Sequence, residues 1–192
     1  FDQMARTPSS GMGDGGGEYG AALVQQEAFT YVYGTKKVAG DLVFGRAVTV
    51  ARVPAGSLLE QSTWRYWTGS SWSPRKADEA MVVKAAPRGW TTVFSVVPQP
   101  SGGFRFITKA DDYLGRDVVT GSSSSLLRPV ANTATQAYPS LGSEVFYNPL
   151  AHPEARLAGG GLLMTICHNS TDLPTVLGHA DFYKPRLFTL PA

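Results

Sequence analysis

Three glutamates and two histidines in this chain have the types and placement that acid–base chemistry uses. His152-Pro153-Glu154 stands ahead of a glycine bend and an apolar run. Glu144 opens the preceding apolar stretch, and Glu18 opens the first one in the chain. A carboxylate beside an imidazole can move a proton or hold a hydroxyl group, and a second carboxylate allows one acid and one base to work together. The other reading of these glutamates is a place on loops in contact with water, the commonest setting for surface carboxylates.

The elements that would position these groups read as short strands. "YGAALVQQ", "FTYVYGT", "GRAVTVARVP", "TWRYWTGSSW", "WTTVFSVVPQ", "FRFITKA", "RDVVTGSSSS", "SEVFYNPLAH", "LLMTICHN" and "DFYKPRLFTL" are β-rich runs separated by turn residues. Pro98 and Pro100 close one strand, and Gly102-Gly103 opens the next. Composition agrees, since 43% of the 192 residues are hydrophobic and only 17% charged, with 21 Gly and 13 Pro, so helix formers are sparse. The expectation is an all-β chain. Three sheet-like units in series suggest blades of a β-propeller, at residues 18–75, 80–135 and 144–192, preceded by a glycine-rich loop or disordered terminus at 1–17. Spacing between comparable strands drifts by more than about ten residues, so periodicity favours a propeller only weakly over a β-sandwich.

Several classes of function are excluded or disfavoured. The net charge of +2 comes from 17 basic and 15 acidic residues scattered along the chain, which leaves no electrostatic footprint for nucleic acid or an anionic membrane. No run approaches the ~18 apolar residues of a membrane span. Cys167, the single cysteine, excludes an internal disulfide and reads as a buried small hydrophobe. His152, His168 and His179 lack repeated ligand spacing, so no metal and no cofactor is expected. Asp111-Asp112 lacks the glycine and distal glutamate of a calcium loop and reads as a turn. "GSSSSL" at 121–126 reads as a polar strand or turn without a nucleophile elbow. Trp64, Tyr66, Trp67 and Trp72 read as packing between sheets rather than as a sugar-stacking platform.

Four stretches carry a resemblance: "FTYVYGT" with "VARVPAGSL", then "STWRYWTGSSWSP", then "FITKADDYLGRDVVTGSSSSLLRP", and "AHPEARLAGGGLLMTICHNSTD" with "FYKPRLFTL". In that order they resemble the later part of bacterial five-bladed β-propellers filed as a domain of unknown function, a group that includes endo-D-arabinanase-type glycoside hydrolases. The resemblance runs from Tyr19 to Leu190. It implies about three blades of five, hence a fragment whose missing blades come from an N-terminal companion segment.

The resemblance also implies a secreted enzyme acting on a furanose-rich polysaccharide such as arabinan. Glycoside hydrolysis takes two carboxyl groups at ~5 to 10 Å. Glu154, Glu144 and Glu18 are the candidate catalytic carboxylates, with His152, Asn148, Arg186 and His168 as candidate substrate-binding residues. A non-catalytic carbohydrate-binding propeller is the alternative, so the expected partner is a polysaccharide or oligosaccharide in either case.

Overall fold

The computed structural model describes residues 7–8, 17–38, 45–112, 115–137, 143–155, 157–179, 181 and 184–191. Most of the glycine-rich stretch expected as a loop or disordered terminus, residues 1–6 and 9–16, lies outside them.

The described chain is all-β and antiparallel. In the first sheet β1 (Glu18–Gln26), β2 (Phe29–Lys36), β3 (Ala47–Pro54), β4 (Arg65–Trp67) and β5 (Trp72–Ser73) follow one another as neighbours. β6 (Met81–Val83) returns to pair with β3, so residues 81–83 belong with the first sheet although the sequence groups them with the second unit. The second sheet runs β7 (Ser95–Pro98), β8 (Phe104–Lys109), β9 (Asp117–Ser123) and β10 (Thr133–Ala137), and the third runs β11 (Glu144–His152), β12 (Leu162–Ser170) and β13 (Arg186–Leu190). Each is a meander, the pairing that short turns between successive strands produce.

The strands follow the alternating runs of the sequence, with instructive exceptions. "TWRYWTGSSW" yields only two very short strands around a Thr68–Ser71 turn, and "WTTVFSVVPQ" becomes a strand only from Ser95. A helix absent from the sequence reading, α1 (Leu173–Gly178), starts at Asp172, whose carboxylate accepts from Thr175 N at 3.1 Å with Pro174 in the first turn.

The three sheets lie as consecutive layers because successive strand residues point to opposite faces. In β8, Phe104 and Phe106 join Val24, Tyr33, Val48 and Val50 of the first sheet in one core. Ile107, with Val97 and Val118, faces Phe146, Met164, Ile166 and Leu190 of the third sheet. β8, inside the second sheet, is therefore buried on both faces, while β10 at the sheet's edge is exposed. The opposite face of the first sheet carries a third core of Tyr19, Val32, Ala51, Val53, Trp64 and Tyr66. Each fully buried large apolar side chain contributes about 1.5–3 kcal/mol.

A polar junction ties the first sheet to the second. Residues 45 and 89 cross so closely that a Cβ on Gly45 would fall 2.3 Å from Gly89 N, which leaves room only for glycine. Arg46 and Trp90 form a backbone bridge there, and Trp90 also bridges Ala110. Asp111 and Asp112 turn with φ of 61° and 44°, a region that Asp tolerates better than most residues. The Asp112 carboxylate accepts from Arg46 Nε at 2.8 Å, Thr91 Oγ1 at 3.1 Å and Thr92 N at 3.2 Å. Its partners are thus distant in the chain, unlike the local amides that a simple Asp turn uses. Lys109 is fully buried beneath this turn and donates to the carbonyls of Asp112 and Gly115. Burial pushes its ammonium down to about 8 against the pull of Asp112 and Asp111.

Lys109→Met removes the donor for two inward carbonyls and is expected to lower stability by about 1–3 kcal/mol in urea unfolding at pH 7. Because the folded pKa lies below the unfolded one, the unfolded chain binds the extra proton between them, so this group's contribution rises with pH above about 8. Unfolding curves of the native chain and Lys109→Met between pH 7.5 and 10 should therefore diverge further as pH rises.

Candidate functional site

β11 and β12 carry most of the residues singled out in the sequence. They pair Glu144 with Ser170, Phe146 with His168 and His152 with Leu163, and the register shifts between Tyr147 and Leu150. Asn148 sits in that bulge with φ of 51°, a conformation Asn adopts readily, which accounts for its residue type without a ligand.

The ladder holds two polar centres, one at each end. At the hairpin end, His152 Nδ1 lies 3.2 Å from Glu154 Oε1 and its Nε2 lies 2.9 Å from Thr165 Oγ1. With the Nδ1 proton given to the carboxylate, Nε2 accepts the Thr165 hydroxyl proton, and the ring is fixed between the two. Thr165 lies inside β12 rather than on a strained elbow, so it positions the ring rather than attacking a substrate. The Glu154 side chain is 72% exposed. A backbone hydrogen bond, and after it the bond to His152, hold its carboxyl below the usual glutamate range. Glu154 is an accessible, ionised carboxylate, suited to act as base or nucleophile and unsuited to donate a proton at neutral pH.

At the opposite end, Glu144 Oε1 lies 3.5 Å from His168 Nε2, and Arg186 Nη2 lies 3.4 Å from Nδ1. The His168 ring stacks on Phe146 at 4.9 Å with 16° between planes. Burial first, and then the Arg186 charge, pull the imidazole below its ordinary value against Glu144, so it is neutral at pH 7. His168 is 3% exposed and the Glu144 side chain 15%, while Arg186 is exposed. His168 and most of Glu144 are closed to a substrate, Arg186 is not, and the contacts secure the ends of β11, β12 and β13.

The two centres cannot share one reaction. Glu144 and His152 are eight residues apart on one strand, about 26 Å at strand rise, far beyond the ~5 to 10 Å of a hydrolytic pair. The remaining candidate lies on another sheet. Ala151 N donates to Ser95 Oγ at 2.8 Å, and Phe94 N donates to Ala21 O at 3.2 Å. The start of β7 thus lies beside both the Glu154 end of β11 and the middle of β1. Glu18 is exposed at the start of β1.

Two smaller readings change. Cys167 is half-buried in β12 rather than buried. Trp64 and Tyr66 are core residues, whereas Trp67 and Trp72 are half-buried, their rings 5.2 Å apart. Trp67 lines a cavity of about 380 Å³ together with Ser123, Ser124, Ser125 and Arg128, in and just after the "GSSSSL" run read in the sequence as a polar strand or turn. The joint presence of an aromatic, hydroxyls and a guanidinium was the available signal, but nothing local links residue 67 to residue 128.

Fold and site together define an all-β protein of three layered antiparallel sheets with an open carboxylate–imidazole pair at one end of the third. A family model described as a domain of unknown function (DUF5005) matches residues 2–191, and the chain belongs to that family. No curated protein matches it.

Since the unfolded His168 takes up a proton near its ordinary value and the folded one resists it, this residue's contribution to stability is lost as pH falls through that range. Arg186→Gln removes one of the two causes of the shift. Thermal midpoints measured from pH 7.5 to 5 should fall less steeply in that variant than in the native chain.

Proposed function

We propose that this chain forms part of a β-propeller-type glycoside hydrolase acting on a furanose-rich polysaccharide such as arabinan, with Glu154 as its ionised carboxylate. The observation that carries the reading is the setting of Glu154: accessible to a polymer, held below the usual glutamate range, and facing an imidazole that Thr165 fixes. Three meanders layered in chain order support the propeller geometry, in which successive blades pack face to face and strands from different blades converge on one channel. The substrate class rests on the resemblance of the sequence motifs.

In this reading Glu154 serves as nucleophile or general base, His152 orients it through its Nδ1 proton, and Glu18, exposed at the start of β1, is the candidate for the proton-donating carboxyl. The Glu144–His168–Arg186 centre is assigned to structure because His168 is buried and Glu144 largely covered, which leaves only Arg186 open to a polymer. A secreted location and a companion segment that completes the ring belong to the same proposal.

A second reading, a propeller that binds glycan without cutting it, is favoured by one observation: Glu144 stands at the far end of β11 from His152 and Glu154, beyond the ~5 to 10 Å of a hydrolytic pair. Reducing-end release from arabinan decides between them. Glu154→Gln and Glu18→Gln should each lower cleavage by about 100-fold or more while glycan retention on an affinity gel persists. Retention without cleavage by the native protein establishes the second reading. Cleavage unaffected by Glu154→Gln removes that residue from the mechanism. With Glu154 as the required base, the acid limb of the pH–rate profile lies below the ordinary glutamate range and moves part of the way back up in His152→Phe, which keeps the backbone hydrogen bond but loses the His152 bond that also holds the carboxyl down.

A further inference from the structure

We infer that the cavity between the first and second sheets is a binding site for an acidic sugar, a uronic acid unit carrying a free carboxylate. The site is distinct from the Glu154 end of the third sheet, and the inference does not depend on hydrolysis there. Its volume, about 380 Å³, falls within the ~300–1,000 Å³ of small-molecule sites. One wall is Trp67 and Gly69 at the β4–β5 turn, and the other is Ser123 to Ser125 with Leu127 and Arg128 after β9.

The lining has a one-sided chemistry. Ser123 Oγ accepts from Ser125 N at 3.2 Å and Ser125 Oγ accepts from Leu127 N at 3.2 Å. Each hydroxyl thus spends a lone pair on the turn and keeps its O–H proton to donate. Arg128 is exposed, and none of the ion pairs among the described residues uses it. Among the described residues no carboxylate and no amide side chain lines the space. The hydroxyls can serve a neutral or a charged sugar, but only a carboxylate also takes two parallel, charge-assisted bonds from a guanidinium. The half-buried indole of Trp67 supplies the apolar surface on which a sugar's C–H face rests.

The walls are also held in place before any ligand arrives. Leu126, between the serines and Arg128, is buried, and its carbonyl accepts from Tyr33 Oη at 2.8 Å. Gly121 lies against the Val130 backbone so closely that a Cβ would fall 2.5 Å from Val130 O, which fixes the two ends of the segment together. Preorganised donors lose little freedom on binding, which favours affinity.

The experiment titrates the Glu154→Gln protein, which leaves bound glycan uncut, with digalacturonic acid, with the neutral disaccharide lactose, and with inorganic phosphate, following Trp fluorescence and calorimetry. Digalacturonic acid should bind at least tenfold more tightly than lactose or phosphate. Arg128→Gln should weaken it at least tenfold and flatten its salt dependence. Trp67→Phe, which keeps an aromatic ring in the core, should retain binding but lose most of the fluorescence change. Equal binding of the acidic and neutral disaccharides, phosphate binding as tight as digalacturonate, or an Arg128→Gln protein that binds unchanged would each overturn the assignment. Loss of arabinan cleavage in Glu154→Gln leaves this result untouched, so the two readings fail separately.

Discussion

The structure depends on one constraint: β8, inside the middle sheet, has no face toward water. β8 is only six residues long, yet its alternation supplies Phe104 and Phe106 to one core and Ile107 to the other. A slip of one residue in its pairing would exchange those sets, and both interfaces would lose their shape at once. Register in β7, β8 and β9 is therefore specified from two sides, and the first and third sheets inherit their positions from it.

The polar junction follows from the same constraint. Where β8 ends, the chain must turn beneath a layer that admits little water, and Lys109 is carried inside with it. Two carbonyls and the nearby Asp111 and Asp112 keep an ammonium tolerable there, although burial still lowers its proton affinity. Arg46, Thr91 and Thr92 close on Asp112 from the first-sheet side, so a motif that looks like a surface turn becomes a joint between layers.

The third sheet shows how strand length sorts chemistry. Its β11–β12 ladder is long enough to hold a covered centre at one end and an open one at the other. Burial and the Arg186 charge make His168 a neutral ring stacked on Phe146, while a backbone hydrogen bond and His152 keep the exposed Glu154 a charged carboxylate. The same residue types, Glu and His, thus take opposite roles through solvent access and hydrogen-bond partners together.

Strand runs, turn residues, the sparse helical content and the proximity of His152 to Glu154 were legible in the sequence because each arises from residues within a few positions of one another. The short α1 and the strands β6 and β10 were not, being brief segments whose local patterns are weak. The sequence by itself determined an all-β chain and named the acidic groups worth following. Only the tertiary structure decided that Glu144 is largely covered beside His168, that Glu154 stands open at the other end of β11, and that Trp67 meets Arg128 across a cavity. Those outcomes depend on how sheets pack, and packing joins residues whose separation along the chain carries no local signal.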